Sequence, residues 1–193
     1  LKDEVTVHQD WKEIGMSATS SNSFEVKKLK VDSKRLFIID ETKSVLPGKI
    51  YQYPFLQFAE ATLAVNVSGM AIHYLDLFEG IMKEKNADSH YTNDQLLALS
   101  LRHDTAKTQL NEARQLFHKT IQRSWNEGKG SKDFTRETLK DVSLVSRELA
   151  DTARRMVDEM YPYCGMVAAN PSTEINRVWR NLHTACLHPL LLK

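Results

Sequence analysis

The sequence predicts a mainly α-helical protein, an antiparallel four-helix bundle preceded by the last strands of a truncated β-domain. Three observations support this fold class. Alternating, strand-like segments occur only before residue 48, four segments with helical periodicity follow, and short breaks separate the helices. Helices joined by short breaks pack as antiparallel neighbours. We therefore predict a β-domain remnant at residues 1–48 and the bundle at residues 49–193.

The N-terminal part contains three segments with a strand-like pattern. They are EVTVH from Glu4, FEVKKLKV from Phe24 and RLFIID from Arg35. The alternation of the second segment breaks at Lys27–Lys28, which predicts a bulge or a bend. Because two or three such strands make a poor independent sheet, we expect their partners to precede Leu1.

The first two helices carry clear start signals. The first is predicted from about Pro54 to Lys85, because apolar residues cover a broad face and proline suits the first helical position. The second starts at a capping box, Thr92 with Gln95 three residues later. His103 interrupts its apolar seam, and we interpret it as a hydrogen-bonded core histidine rather than a ligand. The segment NEGKGSKD then separates the second helix from the third.

The third and fourth helices are bounded by prolines. The third is predicted from about Thr135 to Tyr161, where Pro162 stops it. The fourth lies in NPSTEINRVWRNLHTACLHPLLLK. Asn170 can cap its first turn, and Pro171 suits its first position because the missing N–H costs nothing there. These signals predict that the fourth helix begins at residue 171.

A polar stripe distinguishes the fourth helix from an ordinary core helix. Its members follow steps of four, three and four residues beside an apolar face: Arg177, Asn181, Thr184 and His188. Since Pro189 stops the helix, we expect His188 at the C-terminus, where the helix dipole favours a protonated imidazole. His183 lies on neither stripe. Spacing alone favours a solvated face with a capping histidine.

Composition narrows the classes of partner. The 26 Lys and Arg residues balance 25 Asp and Glu residues, so we expect no nucleic-acid partner. No uninterrupted apolar run approaches the roughly 18 residues of a membrane span, so we expect no membrane partner. The seven histidines are scattered, and Cys164 and Cys186 lack metal-ligand spacing. We expect no metal site, and reduced thiols in a cytoplasmic protein.

Two phrases in this order carry a resemblance to a known family. The segment DWKEIGMSATSSNSFEV, four helices and NPSTEINRVWRNLHTACLH together resemble the C-terminal half of the acyl-CoA dehydrogenase superfamily, in particular its flavin-dependent monooxygenase branch. Members carry a phrase like GMRATGS, and here Ser17 replaces the arginine. Members also carry R-x-x-R-D before a histidine, which matches Arg177, Arg180, Asn181 (for the aspartate) and His188.

The resemblance implies a site and partners for the whole protein. FMN or FAD would lie between the β-domain and bundles of its own and a neighbouring subunit, with Arg177, Arg180 and Asn181 as cofactor-binding residues. His188 would be catalytic. The bundle would build a homo-oligomer, a dimer or tetramer. A separate flavin reductase and a small aromatic or similar organic substrate would be its other partners.

The resemblance leaves three functions open. Short- and medium-chain dehydrogenases carry a glutamate base in I-Y-E-G-T, and CLHPLL stands at that place here. A histidine there suits an oxygenase, because it could hold an oxygenated flavin or deprotonate a phenolic or enolic substrate near neutral pH. The departures at Ser17 and Asn181 favour instead a non-catalytic oligomerisation module or a degenerate homologue. A dehydrogenase with its base on another helix is the third alternative. In each case we expect these 193 residues alone to be inactive and to bind flavin weakly or not at all.

Overall fold

A computed structural model of the chain describes residues 4–88, 90–128 and 134–192. Over these ranges the chain forms two very short strands, four helices of thirteen residues or more and one single-turn helix. Their bounds are β1 Thr6–Val7, β2 Phe24–Glu25, α1 Phe55–Ala87, α2 Asn93–Glu127, α3 Arg136–Met160, α4 Met166–Ala169 and α5 Glu174–Cys186. Residues 129–133, part of the predicted break between α2 and α3, lie outside the described ranges.

The core lies where α1, α3 and α5 meet, and α2 packs against α1 and α3. Tyr74 and Phe78 on α1, Leu149 and Met156 on α3 and Leu182 on α5 are fully buried. Full burial of an apolar side chain of this size contributes about 1.5–3 kcal/mol. The predicted fold class, a mainly α-helical bundle with few strands, is confirmed.

The start of α2 forms as its sequence predicts. The Thr92 N–H donates to Gln95 Oε1 at 2.9 Å, and the Gln95 N–H donates to Thr92 Oγ1 at 3.3 Å. His103 is buried with Nε2 3.0 Å from the Leu75 carbonyl oxygen. The interpretation of His103 as a hydrogen-bonded core histidine is therefore confirmed. Cys164 is also buried, with a free thiol 3.1 Å from the Tyr74 hydroxyl.

The N-terminal segment has little regular structure. β1 and β2 pair antiparallel, Thr6 with Glu25 and Val7 with Phe24. The chain bends at Lys28, whose φ of 51° is left-handed, as the broken alternation predicts. This bend ends the second predicted strand after two residues.

The third predicted strand, RLFIID, is wrong. Residues 36–40 form no strand, and the side chains of Leu36–Ile39 are 63–83% exposed. A strand needs a neighbour to satisfy its backbone donors and acceptors, and the residues that the structure describes supply none here. The predicted boundary at residue 48 stays a prediction.

One helix in the described ranges, α1, is long and apolar enough to cross a membrane by length and composition alone. The mean hydropathy of its most apolar 18-residue window is 1.3, and 33% of that window is buried within the chain. The sequence shows no uninterrupted apolar run of this length, because polar residues interrupt every long apolar stretch. A core helix of a folded bundle passes the same test, so this observation is weak evidence for a membrane.

Candidate functional site

The last helix, α5, begins three residues later than its sequence predicts. Thr173, not Asn170, is the N-cap, and its Oγ1 accepts the Asn176 N–H at 3.4 Å. Asn170 instead accepts the Ser172 N–H at 3.0 Å, which forms a local turn after α4. The competing turn explains why Pro171 does not open the helix.

The C-terminal end of α5 also corrects the prediction for His188. The helix ends at Cys186, and His188 lies beyond it, exposed, as the N-cap of a 3-10 turn at Pro189–Leu191. Its Nδ1 accepts the Leu190 N–H at 3.2 Å. His188 therefore lies two residues beyond the last helical residue, Cys186, and not at the helix C-terminus that the sequence predicts. The catalytic role of His188 stays a prediction.

A loop from the N-terminal segment lies directly on α5. The Arg180 guanidinium donates from Nη1 to the Ile14 carbonyl oxygen at 2.7 Å and from Nε to Asn176 Oδ1 at 2.8 Å. Asn181 Oδ1 accepts the Met16 N–H at 2.7 Å. The phrases GMSATSS and RVWRN, about 165 residues apart, are therefore in contact.

Gly15 makes this close approach possible. A Cβ on Gly15 would lie 2.1 Å from the Arg180 carbonyl oxygen and 2.6 Å from Thr184 Oγ1. Met16, the next residue, has a left-handed φ of 57°. Ser17 follows in an exposed 3-10 turn. The loop therefore needs a residue without a side chain at position 15.

The structure divides the predicted polar stripe. Asn181 and Thr184 face the loop, whereas His188 lies beyond the helix and Arg177 faces solvent. The Arg177 guanidinium donates to Glu174 Oε1 at 2.9 Å, and His73 Nε2 lies 3.1 Å from the same oxygen. The hydrogen bond from His73 lowers the pKa of Glu174. Arg177 is thus available on the surface, while Arg180 and Asn181 are engaged within the chain.

His183 joins α5 to α3. Its Nδ1 lies 2.8 Å from the Trp179 carbonyl oxygen and its Nε2 lies 2.7 Å from Asp158 Oδ1. Its ring also stacks on the Trp179 ring, with centroids 4.2 Å apart. Both ring nitrogens of His183 are therefore engaged within the chain, and neither is left for a substrate. Spacing could not reveal this pair, because its members lie on different helices.

A cleft opens between the loop and the end of α5. Its volume is about 690 Å³, within the roughly 300–1,000 Å³ of ligand sites. Thr184 and Arg154 are among its polar residues, and Arg154 is paired with Asp151 at 3.2 Å and Asp158 at 3.3 Å. The wall includes Glu13, Ile14, Ala150, His183, Cys186, Leu187, Leu191 and Leu192. No group of three or more His, Cys, Asp and Glu side chains able to hold a metal ion occurs in the described part of the chain.

The fold and the loop contact define a class, a helical bundle that receives a preceding loop on its last helix. Residues 61–192 match the family model described as acyl-CoA dehydrogenase, C-terminal domain. The chain belongs to this family.

Relatives and solved structures agree with this assignment. An indole-3-acetate monooxygenase of Acinetobacter baumannii is 23% identical over 188 residues, which cover 96% of this chain and 48% of that protein. The 3-HSA hydroxylase of Rhodococcus sp. RHA1 superposes with a TM-score of 0.86 at 14% identity, over 98% of this chain and 51% of that one. XiaF from Streptomyces sp., solved with FADH2 and glycerol, superposes with a TM-score of 0.71 at 17% identity, over 98% of this chain and 50% of that one. The chain spans about half the length of each.

Proposed function

We propose that this chain is the C-terminal part of a flavin-dependent monooxygenase that acts on an aromatic or similar small organic substrate. The bundle supplies oligomer contacts and one wall of the flavin and substrate site. The observation that carries the proposal is the docking of the GMSATSS loop on α5 beside a cleft of ligand size. The monooxygenase and hydroxylase names of the relatives, and the FADH2 in XiaF, support the chemistry.

The residues present fit one side of a flavin site. The cleft has an apolar wall, formed partly by Ile14 and Leu187, and a hydroxyl at Thr184. A planar aromatic ring with polar edges suits such a surface. Arg177 offers an exposed guanidinium for an anionic group of FMN or FAD. When bound, the reduced flavin would supply the electrons for oxygen insertion.

The remaining site residues act around that cofactor. Arg180 and Asn181 contribute to the site through the loop that they hold. His188 is the proposed catalytic residue, because its exposed imidazole can accept a proton from a substrate hydroxyl. Its Nδ1 accepts the Leu190 N–H, so in the neutral ring Nε2 carries the proton and is a donor. Nδ1 is the atom that would take a substrate proton, after the hydrogen bond from Leu190 opens.

The outer face of α1 supports association into a dimer or tetramer. Phe55, Phe58 and Val65 follow helical spacing on one side of α1 and are 39–50% exposed. An apolar groove of about 250 Å³ lies beside them, lined in part by Phe117 and Trp125 of α2. A second copy of the chain is the proposed occupant of this groove. We place the enzyme in the cytoplasm, and a separate reductase would supply its reduced flavin.

The test uses the protein that contains this chain at full length. We expect it to bind FMN or FAD and, with a flavin reductase, added flavin, NADH and oxygen, to hydroxylate a member of a panel of phenols and indoles. Oxidation of acyl-CoA thioesters instead would identify the dehydrogenase alternative. A protein with no flavin and no turnover would be the non-catalytic module, and either result would remove the proposal.

A further inference from the structure

The contact between the N-terminal loop and α5 has three independent parts. Arg180 donates to the Ile14 carbonyl oxygen, Asn181 accepts the Met16 N–H, and Gly15 packs without a side chain against the Arg180 carbonyl oxygen. The two hydrogen bonds are both 2.7 Å long. They flank Gly15 on either side, so the backbone of three consecutive residues is fixed to a single turn of α5.

The chemical requirement at position 181 is an acceptor. The bond to Met16 uses the side-chain oxygen of Asn181. A carboxylate at this position would accept the same N–H, whereas an aliphatic side chain of similar size would leave it without a partner. The bond also holds Met16 in its left-handed conformation, which a residue with a Cβ rarely adopts.

The requirement at position 15 is steric. A methyl group there would collide with the backbone of α5, which cannot yield, so the loop would have to move away. The loop residues just before Gly15, Glu13 and Ile14, line the cleft, and Cys186 lines the same cleft. Movement of the loop would therefore open the cleft.

We propose that Gly15, Arg180 and Asn181 form a latch that seats residues 13–16 on α5 and so sets the width of the cleft. Gly15 and Asn181 are positioning residues, and an oxygen acceptor at 181 is the group that the latch needs. The effect of the latch on substrate rests on the proposed function, whereas its effect on the cleft does not.

The experiment compares four variants of the full-length protein. Gly15→Ala and Asn181→Leu break the latch. Asn181→Asp keeps the acceptor, and Gly69→Ala is the matched glycine control, since a Cβ on Gly69 meets nothing within 4 Å. Hydrogen exchange at the Met16 amide reports the latch, and the rate of Cys186 alkylation at pH 8 reports the cleft. Cys164, buried in the core, is the internal control in each sample.

In Gly15→Ala and Asn181→Leu, we expect the exchange rate of the Met16 amide and the alkylation rate of Cys186 to rise about tenfold. The alkylation rate of Cys164 should not change. Asn181→Asp and Gly69→Ala should show the Met16 exchange and Cys186 alkylation rates of the unaltered protein. Where hydroxylation is measurable, the two latch-breaking variants should raise KM about tenfold while kcat changes little.

The outcomes separate the two proposals. In Asn181→Leu, faster Met16 exchange without faster Cys186 alkylation would show that the latch does not set the width of the cleft. Met16 exchange as slow as in the unaltered protein would show that Asn181 does not hold the loop. If Gly15→Ala fails to fold, the comparison of Asp and Leu at position 181 decides alone. A protein without flavin or hydroxylation that still shows the expected exchange and alkylation would retain the latch and lose the proposed function.

Discussion

The bundle and the N-terminal segment, residues 4–53, are stabilised in different ways. In the bundle, α1, α3 and α5 bury a continuous core whose largest members have no exposed surface. Among the residues of the segment whose burial the structure describes, Gly15 and Tyr53 are buried, whereas Phe37 is 83% exposed. Burial of apolar area therefore holds the bundle, whereas individual hydrogen bonds hold the segment.

The segment is attached to the bundle near its two ends. The latch holds residues 14–16 on α5. At the other end, the Tyr53 hydroxyl lies 2.7 Å from Ser124 Oγ, and the Lys49 ammonium donates to the Trp125 carbonyl oxygen and lies over its ring. Between these points the apolar side chains of residues 36–39 remain uncovered. The segment therefore depends for its position on these contacts with the bundle.

The largest expected effect tests this difference with a matched pair of phenylalanines. Phe78 on α1 is fully buried and Phe37 in the segment is not. Phe78→Ala should lower the free energy of unfolding by about 3–5 kcal/mol, because it removes buried area and leaves a cavity. Phe37→Ala should change it by less than about 0.5 kcal/mol. Urea denaturation followed by circular dichroism measures both, and equal losses would show that the segment shares the core.

Local signals in the sequence predict most of the bundle. The starts of α1 and α2 lie within about two residues of the positions that Pro54 and the capping box at Thr92 predict. The end of α3 lies within about two residues of Pro162. Each signal acts through atoms a few residues away, so no knowledge of the tertiary fold is needed. The start of α5 is missed because two caps compete there, Asn170 and Thr173, and each makes a local hydrogen bond.

The candidate site is less predictable because its contacts are not local. Spacing grouped Arg177, Asn181 and His188 into one stripe, yet the three have separate environments. The role of Gly15 depends on the backbone of Arg180, and a glycine within GMSATSS is the only sequence signal of it. The resemblance identified both phrases as family motifs without predicting a contact between them, and the structure brings them together.

Two histidines near the end of α5 differ in the same way as the bundle and the segment. His183 is bonded within the bundle to Asp158, whereas His188 is exposed beyond the helix. In the full-length protein, His188→Ala should reduce product formation by about 10²-fold, while the free energy of unfolding falls by about 1 kcal/mol at most. If its role is to hold the oxygenated cofactor, the loss should appear as hydrogen peroxide release.

His183→Ala should show the converse. Loss of a charge-assisted hydrogen bond and of stacking on Trp179 should lower the free energy of unfolding by about 2 kcal/mol. Turnover below the unfolding temperature should change little. Asp158→Asn is the matched control, since it weakens the same bond and leaves the ring in place. Full turnover in His188→Ala together with none in His183→Ala would reverse the assignment.

The exposed apolar face of α1 offers the next test. A carboxylate introduced by Phe58→Glu should prevent burial of this face against a second copy. We expect light scattering to show a dimer or tetramer for the unaltered chain and a smaller species for the variant. Leu36→Glu, at a more exposed apolar position in the segment, is the control and should leave the assembly intact. A monomer at all concentrations of the unaltered chain would contradict the prediction.

The smallest expected effect concerns pH and is confined to the segment. Hydrogen bonds from the Ser23 hydroxyl and N–H, the latter 2.8 Å from Oδ1, lower the pKa of Asp10 from its ordinary value of 3.8. A lowered pKa in the folded state means that the ionised carboxylate stabilises the β1–β2 pair above pH 3.8, and that this contribution is lost as the pH falls through the lowered value. As the pH falls below the ordinary value of 3.8, the Ser23 amide resonance should therefore shift and its exchange should accelerate relative to the intrinsic rate. The amide of Leu149 in the core should keep its protection. In Asp10→Ala the Ser23 amide should lose this pH dependence and exchange rapidly throughout. Simultaneous loss of protection at Ser23 and Leu149 in the unaltered chain would show that the segment and the bundle unfold as one unit, and would end the distinction between them.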